Sequence, residues 1–390
     1  MARFIESITL TNFLSFGPES TTLQFEDINV LVGANGSGKS NLIEAINVLR
    51  HAPTDLARVL REGGGAGQWL WKDEKGQTAE RAEIEIVLAP DVITGPSTRY
   101  RLSFGIDGNQ MVILDERIEN AEPTKDRAKP YFYFGYENGA PMMNLAGGGK
   151  RQLRREHIDS GKSILAQRRD PESYPELTRL GDCLAKIRAY CNWHTGPKSS
   201  VRESCRADVP SDLLEEDLSN LPARIQRLKG EPPIKRRLLE LLRKVSPGFD
   251  DIEIMPEGGT LQMYLFEGDR KIASQRVSDG TLRYLMLIAI LLDPAPPPLL
   301  VIEEPEICLH ADMYPTLRRL MLEAGEHMQI IITTQSPTFL DAWTDHPSFV
   351  VVCEREDGVT TLERLESDDL DNSEGLGVRW TRGEIGGTRW

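Results

Sequence analysis

Eight consecutive residues, Gly33-Ala34-Asn35-Gly36-Ser37-Gly38-Lys39-Ser40, carry the clearest chemistry in the chain. Their spacing fits G-x-x-x-x-G-K-[ST], and they lie between an apolar strand pattern and a helical one, the context a phosphate loop requires. Glycines at 33, 36 and 38, with Asn35 and Ser37 between them, let backbone N–H groups wrap phosphate oxygens with no Cβ in the way. A helix opening at Lys39 adds the positive end of its dipole. Lys39 is expected to neutralise β- and γ-phosphates, and Ser40 to offer an oxygen to Mg²⁺.

Two further segments add reactive groups. Leu299-Leu300-Val301-Ile302-Glu303-Glu304 delivers two carboxylates at the end of an apolar strand. Adjacent strand side chains point to opposite sides, so Glu303 can serve a metal shell while Glu304 serves an attacking water. Magnesium favours hard oxygen ligands and retains waters, which suits a carboxylate in its shell. Alone, the pair is equally read as the solvated start of a loop. Val277-Ser278-Asp279-Gly280-Thr281 stands just before a helical pattern, where Ser278 and Gly280 would make a second anion site. The same residues also read as an ordinary helix cap, and their value lies in preceding the carboxylates by about 20 residues.

The elements that must hold these groups follow from periodicity. Strands are expected at 5–10 and 27–32, the second leading into the glycine-rich turn, and a helix at 41–50. Alternation at 82–88, 98–106 and 111–118 predicts an antiparallel meander. Residues 125–244 read as helical segments punctuated by Gly and Pro. A strand at 261–266 and a helix at 279–292 come next. Buried strands at 299–302, 329–333 and 349–353 follow, with a helix at 313–324. Apolar strands alternating with helices imply a parallel sheet covered on both faces.

Bulk properties bound the rest. A hydrophobic fraction of 39% with 27% charged residues is that of a soluble globular chain. The most apolar stretch, 285–292, falls far short of the ~18 residues a membrane span needs. No signal-peptide architecture opens the chain, so a cytoplasmic location is expected. Five cysteines without a C-x-x-C pair are expected to be free and mostly buried. A net charge of −14 argues against a surface that coats nucleic acid throughout. Basic clusters remain: Arg224, Arg227, Lys229, Lys235, Arg236, Arg237, Arg243 and Lys244, and an earlier set of Lys150, Arg151, Arg154, Arg155, Lys162, Arg168 and Arg169. Solvated helix faces are one reading of them, and a surface for nucleic acid or an acidic partner is the other. Residues 367–374 are acidic and read as a solvated linker.

Phosphate loop, Ser-x-Gly cap and acidic strand, in that order, resemble the ABC ATPases. More narrowly the chain is similar to the RecF/SMC branch: Leu10-Thr11-Asn12-Phe13-Leu14-Ser15-Phe16, the phosphate loop with Asn41 after it, and Glu303-Glu304-Pro305-Glu306 with Leu309-His310 match its patterns. Thr334-Gln335-Ser336-Pro337 and Gly383-Glu384-Ile385-Gly386-Gly387 resemble compact ATPases of bacterial defence loci. The resemblance implies an α/β P-loop fold, an ABC-type head with an antiparallel β subdomain and a helical insertion. It implies a head-to-tail homodimer, or a higher even oligomer, in which Ser278 and Gly280 of one subunit close on ATP held by the other. It also implies a Q-loop role for Gln167 on the metal and γ-phosphate, a switch role for Gln335, and a D-loop interface role for His310. A glutamine at the switch position can bond a phosphate oxygen or the lytic water, yet it cannot become cationic near neutral pH.

The 237 residues between Ser40 and Ser278 show no sustained heptads, so the long coiled coil of SMC proteins is not expected. The 25 residues beyond Leu365 are too few for a nuclease domain, which leads us to expect a separately encoded effector. The resulting division is an N-terminal lobe at 1–124, a helical insertion at 125–250, a C-terminal lobe at 251–366 and a tail at 367–390. Two functions stay open. One is an ATPase gating a separate nuclease or toxin in antiphage defence. The other is a RecF-like DNA-binding ATPase of repair or recombination.

Overall fold

Alternating apolar residues at the start of the chain form β1 (Ile5–Thr11), which turns back into β2 (Thr21–Gln24). We describe the protein from a computed structural model covering residues 3–387, apart from 94, 109, 124–127, 138–139, 146–148, 155–157, 192, 246 and 367–373. Arg155 and most of the acidic linker lie outside the described residues. The fully buried β3 (Ile28–Val32) feeds the glycine-rich loop and then α1 (Lys39–His51), which is followed by α2 (Leu56–Glu62).

The expected meander is present as β4 (Arg81–Leu88), β5 (Thr98–Asp107) and β6 (Gln110–Asn120), antiparallel throughout. It does not stop there. Phe132–Glu137 (β7), Ala140–Asn144 (β8) and Lys150–Gln152 (β9) extend the same sheet to eight strands, in the order β2-β1-β4-β5-β6-β7-β8-β9. The helical reading of this stretch is therefore corrected. Four consecutive residues of β7 are buried, which hides the two-residue period that marks a half-exposed strand.

Helices α3 (Ile164–Gln167) and α4 (Pro175–Ala185) lead to β10 (Arg188–Tyr190). A smaller sheet joins β11 (Cys205–Arg206), β12 (Phe249–Glu257), β13 (Thr260–Glu267) and β14 (Arg270–Ala273), with α5 (Leu221–Gly230) and α6 (Pro232–Val245) beside it. Only β13 of these four strands was expected, because its neighbours are rich in charge and Gly turns. The chain closes with α7 (Asp279–Leu291), β15 (Leu299–Glu303), α8 (Tyr314–Gly325), β16 (Gln329–Thr334), α9 (Pro337–Asp341), β17 (Val350–Glu356), β18 (Val359–Arg364) and α10 (Leu376–Thr381).

The sheet that positions the chemistry has the order β10-β15-β16-β3-β17-β18, parallel except for the last pair. It separates two cores. Leu31, Leu299, Val301 and Ile331 face one, while Val30, Val32, Leu300, Ile302, Ile330 and Ile332 face the other. Burial on both faces explains why these strands read as unbroken apolar runs. Within the span expected as an insertion, β10 pairs with β15 and so belongs to this sheet. All five cysteines are free, but only Cys205 and Cys353 are buried, Cys183 and Cys191 are half-buried and Cys308 is exposed. Among the described residues, no helix is long and apolar enough to cross a membrane.

Glu116 ties the β subdomain to α3. Its carboxylate accepts from the Tyr100 hydroxyl (2.8 Å), the Ser163 hydroxyl and the Ile164 N–H (2.7 Å), and burial pushes its pKa up to about 7. The native state thus keeps a proton that the unfolded chain has released, so this group makes stability fall as pH rises from about 4.5 to about 7. In Glu116→Gln that dependence is expected to vanish: relative to the variant, the wild type loses up to roughly 3 kcal/mol across the window. Thermal unfolding of both proteins from pH 4.5 to 8 checks this.

Candidate functional site

Parallel register sets the site. Glu303 lies opposite Thr333, Thr333 opposite Leu31, and Thr334 opposite Val32, so the acidic strand and the glycine loop end at one edge of the sheet. Open α/β sheets bind ligands at this edge, outside the carboxyl ends of their strands. Ser40 Oγ donates to Glu303 Oε1 at 2.8 Å, placing two of the three expected metal ligands within reach of one cation. Lys39 is folded onto its own loop, donating to the carbonyls of Gly33 (2.8 Å) and Ala34 (2.9 Å). Burial lowers its pKa, and Cys353, Glu304, Glu303 and Glu306 oppose the shift.

The loop is held from behind. Gly38 sits at φ +104°, and a Cβ there would meet Thr360 Oγ1 at 2.1 Å. Thr360 donates to the Ser37 carbonyl (3.0 Å) and shares a 2.6 Å hydrogen bond with Ser15, which accepts from Asn41 Nδ2 at 2.6 Å. Asn41 thus braces the loop, which explains its place after the phosphate loop. Asn35 and Gly36 are exposed at the loop tip.

Glu304 has a left-handed backbone (φ +46°), and its N–H donates to the Thr333 carbonyl at 3.0 Å. Gln335 Nε2 donates to Glu304 Oε1, which joins the expected switch to the expected base. Ser278 caps α7, accepting from Thr281 N (3.2 Å), and its side chain is at the surface. Gly280 is required by packing, since a Cβ there would come within 2.6 Å of the Cys308 carbonyl. Arg202 is buried behind this segment. It donates to the carbonyls of Ser274, Gln275 and Val277 and pairs with Asp279.

Two expected residues do not join this group. Gln167 Nε2 donates to the Lys162 (2.6 Å) and Asp159 (3.0 Å) carbonyls, and its Oε1 accepts from Asp159 N, so its carboxamide braces its own loop. The neighbour of the expected metal carboxylate is instead the end of β10, where Tyr190 lies opposite Ile302 and Trp193 Nε1 donates to the Glu303 carbonyl at 2.7 Å. His310 is largely exposed and caps the short turn 311–313, with Asp312 beside its Nδ1. Sequence reasoning missed Trp193, Thr360 and Ser15 in these roles, and Arg283, whose Nη2 donates to the Glu304 carbonyl. Only the two in the opening NFLSF and SDGTLR segments stood beside a recognisable motif.

The basic run is also reassigned. Arg224 is buried against Asp293 (2.9 Å), Arg227 pairs with Asp212, Lys229 and Lys235 with Asp251, Arg237 with Glu240 and Glu323, and Lys244 with Glu240. Arg243 donates to the Phe249 and Asp250 carbonyls. Most of these charges hold α5 and α6 to neighbouring elements, whereas Lys244 pairs within α6 and Arg236 is exposed.

A family model described as "AAA domain, putative AbiEii toxin, Type IV TA system" matches residues 28–341, from the strand before the phosphate loop to the helix after Gln335. The chain belongs to this family. It is similar to the DNA replication and repair protein RecF of Geobacillus kaustophilus, 36% identical over 81 residues, covering 20% of this chain and 20% of that protein. It is similar to the chromosome partition protein Smc of Mycobacterium leprae, 25% identical over 252 residues, covering 55% of this chain and 19% of the relative. The chain therefore spans about a fifth of the length of these curated relatives.

Among solved structures, an SMC head bound to the C-winged helix domain of ScpA aligns with a TM-score of 0.60 at 16% identity, over 94% of this chain and 98% of that one. A second Smc head, from Pyrococcus furiosus, gives 0.55 at 17% identity over 94% and 97%. Its fold is that of an ABC-type P-loop head like those of the SMC proteins, with the mixed α/β architecture expected from its motifs.

Thr360→Val keeps the shape and removes the hydroxyl that braces the loop. Leaving the buried Ser15 and Ser37 groups short of a partner is expected to cost about 1–3 kcal/mol of stability. Chemical denaturation measures that loss, and a variant as stable as the wild type contradicts the bracing role.

Proposed function

We propose that the protein binds ATP with Mg²⁺ and hydrolyses it in a head-to-tail homodimer, and that ATP-dependent closure controls a separately encoded effector. The observation that carries the chemistry is the convergence of Lys39, Ser40, Glu303, Glu304 and Gln335 at one sheet edge. Ser40 and Glu303 would hold Mg²⁺, which would supply Lewis-acid charge to offset that of the phosphates. The 33–38 amides and Lys39 receive the β- and γ-phosphates, with Lys39 exchanging its two carbonyl partners for phosphate oxygens. Glu304 orients the attacking water and accepts its proton, while Gln335 holds the carboxylate in place. Such catalysis consists mainly of positioning and charge stabilisation. Ser278 and Gly280 supply the anion-binding helix end that closes on the partner's γ-phosphate.

A role in a toxin–antitoxin system is supported by the family's description as a putative AbiEii toxin of a type IV system, and the separate effector is our extension of that role. A RecF-like, DNA-acting role is the second reading, supported by the similarity to RecF. ATP hydrolysis stimulated by DNA, and weakening steeply with salt, would favour it over the first.

Glu304→Gln tests the sandwich. With ATP and Mg²⁺ we expect its mass to double from the 43.8 kDa of one chain, and turnover to fall by at least about a hundredfold. Light scattering and phosphate release read the two. A variant that binds ATP yet keeps the mass of one chain overturns the dimer.

A further inference from the structure

Arg283 lies on α7, five residues past Ser278, and is almost fully buried. Its Nη2 donates to the main-chain carbonyl of Glu304 at 2.5 Å. Its guanidinium lies over the Trp193 ring, with Cζ 3.9 Å from the ring centroid, and Trp193 in turn stacks on Tyr190 of β10. Trp193 Nε1 donates to the carbonyl of the preceding residue, Glu303, at 2.7 Å. One stacked pair therefore holds both consecutive carbonyls of the acidic motif, from two different elements.

Two features show why such a clamp is needed. Glu304 adopts φ +46°, a conformation that a side chain other than Gly, Asn or Asp seldom takes and that its surroundings must impose. Ordinary packing of a buried arginine would be content with any acceptor, whereas this one reaches the residue whose carboxylate faces Gln335. Burial brings the Arg283 pKa down to about 10, so the side chain still carries its charge at neutral pH and its bond to the carbonyl is charge-assisted.

We propose that Arg283 and Trp193 are positioning residues that fix the Glu303–Glu304 main chain and tie it to the signature helix, so that closure of Ser278 on the partner's nucleotide is transmitted to the base that activates water. The proposal rests on the ATPase reading above. It places the sensing of the partner's nucleotide within each subunit's own core. Engagement of Ser278 shifts the start of α7, and Arg283, less than two turns along, carries that shift to the Glu304 carbonyl.

Trp193→Phe keeps an aromatic face under Arg283 and removes the Nε1 donor. Arg283→Gln keeps a donor and removes the planar charge. Both are expected to lower kcat between about tenfold and a hundredfold, as small misplacements of a reacting group do. KM for ATP is expected to stay within about twofold, and melting temperature close to the wild type for Trp193→Phe, since neither residue is placed on the nucleotide. Both variants should still double in mass with ATP and Mg²⁺, giving dimers that close but turn over slowly. Should Arg283→Gln fail to fold, Trp193→Phe decides alone. Unchanged kcat in Trp193→Phe overturns the proposal, as does a loss of kcat matched by loss of ATP-driven dimerisation or by a rise in KM. Inactivity of the wild type would instead overturn the ATPase reading.

Discussion

The parallel ladder through β15, β16 and β3 brings together groups that the chain separates widely, Ser40 and Glu303 being 263 residues apart. Every other feature of the site depends on it. A shift of one residue would reverse which carboxylate faces the phosphate loop, because strand side chains alternate in direction. The register is protected by burial on both faces, where Leu299 and Val301 enter one core and Leu300 and Ile302 the other. Slippage would exchange these sets between cores of different shape, and the packing cost of that exchange holds the carboxylates in place.

Around this ladder, close backbone contacts leave no room for side chains. Gly33 would push a Cβ to 2.4 Å from the Cys353 carbonyl, and Gly38 would push one into Thr360. The phosphate loop is thus seated on the β17–β18 hairpin as well as opening α1. Its glycines answer two demands, space for a ligand in front and for the hairpin behind. Lys39 shows the electrostatic counterpart. Burial lowers its pKa, opposed only in part by Cys353 and the nearby carboxylates, so an arriving phosphate would favour its charged form.

Elements with one clear period were legible in the sequence. The helices at 39–51 and 279–291 and the central strands coincide with their patterns to within two residues. The phosphate loop and the acidic pair were legible because their chemistry is local, packed into eight and two residues. What escaped was set by tertiary convergence. Gln167 stands after the meander as a Q-loop residue should, yet the strand beside β15 proved to be β10, and only pairing reveals that Trp193 reaches Glu303. The Arg224–Lys244 run gave no sign of its partners, since Asp251, Asp293 and Glu323 come from later elements. Strands β7 to β9 were masked by burial of both faces over β7 and by Gly-rich turns.

The placement of Ser278 bears on the proposal that a second subunit completes the site. Its segment cannot move freely relative to the acidic strand of the same chain. Gly280 packs against the Cys308 carbonyl, Arg283 binds the Glu304 carbonyl, and Arg202 grips the three carbonyls just before the cap. Drawing Ser278 onto a phosphate held by its own Lys39 would break those contacts and displace Glu304 from Gln335. The cost falls on several buried, charge-assisted hydrogen bonds at once, each expensive to leave unmade. Under the proposed dimer, the exposed helix end at Ser278, rigidly joined to the acidic strand, is therefore better suited to a nucleotide on another chain. On that view the bonds that keep the signature away from its own phosphate loop are the ones that let it report on its partner's.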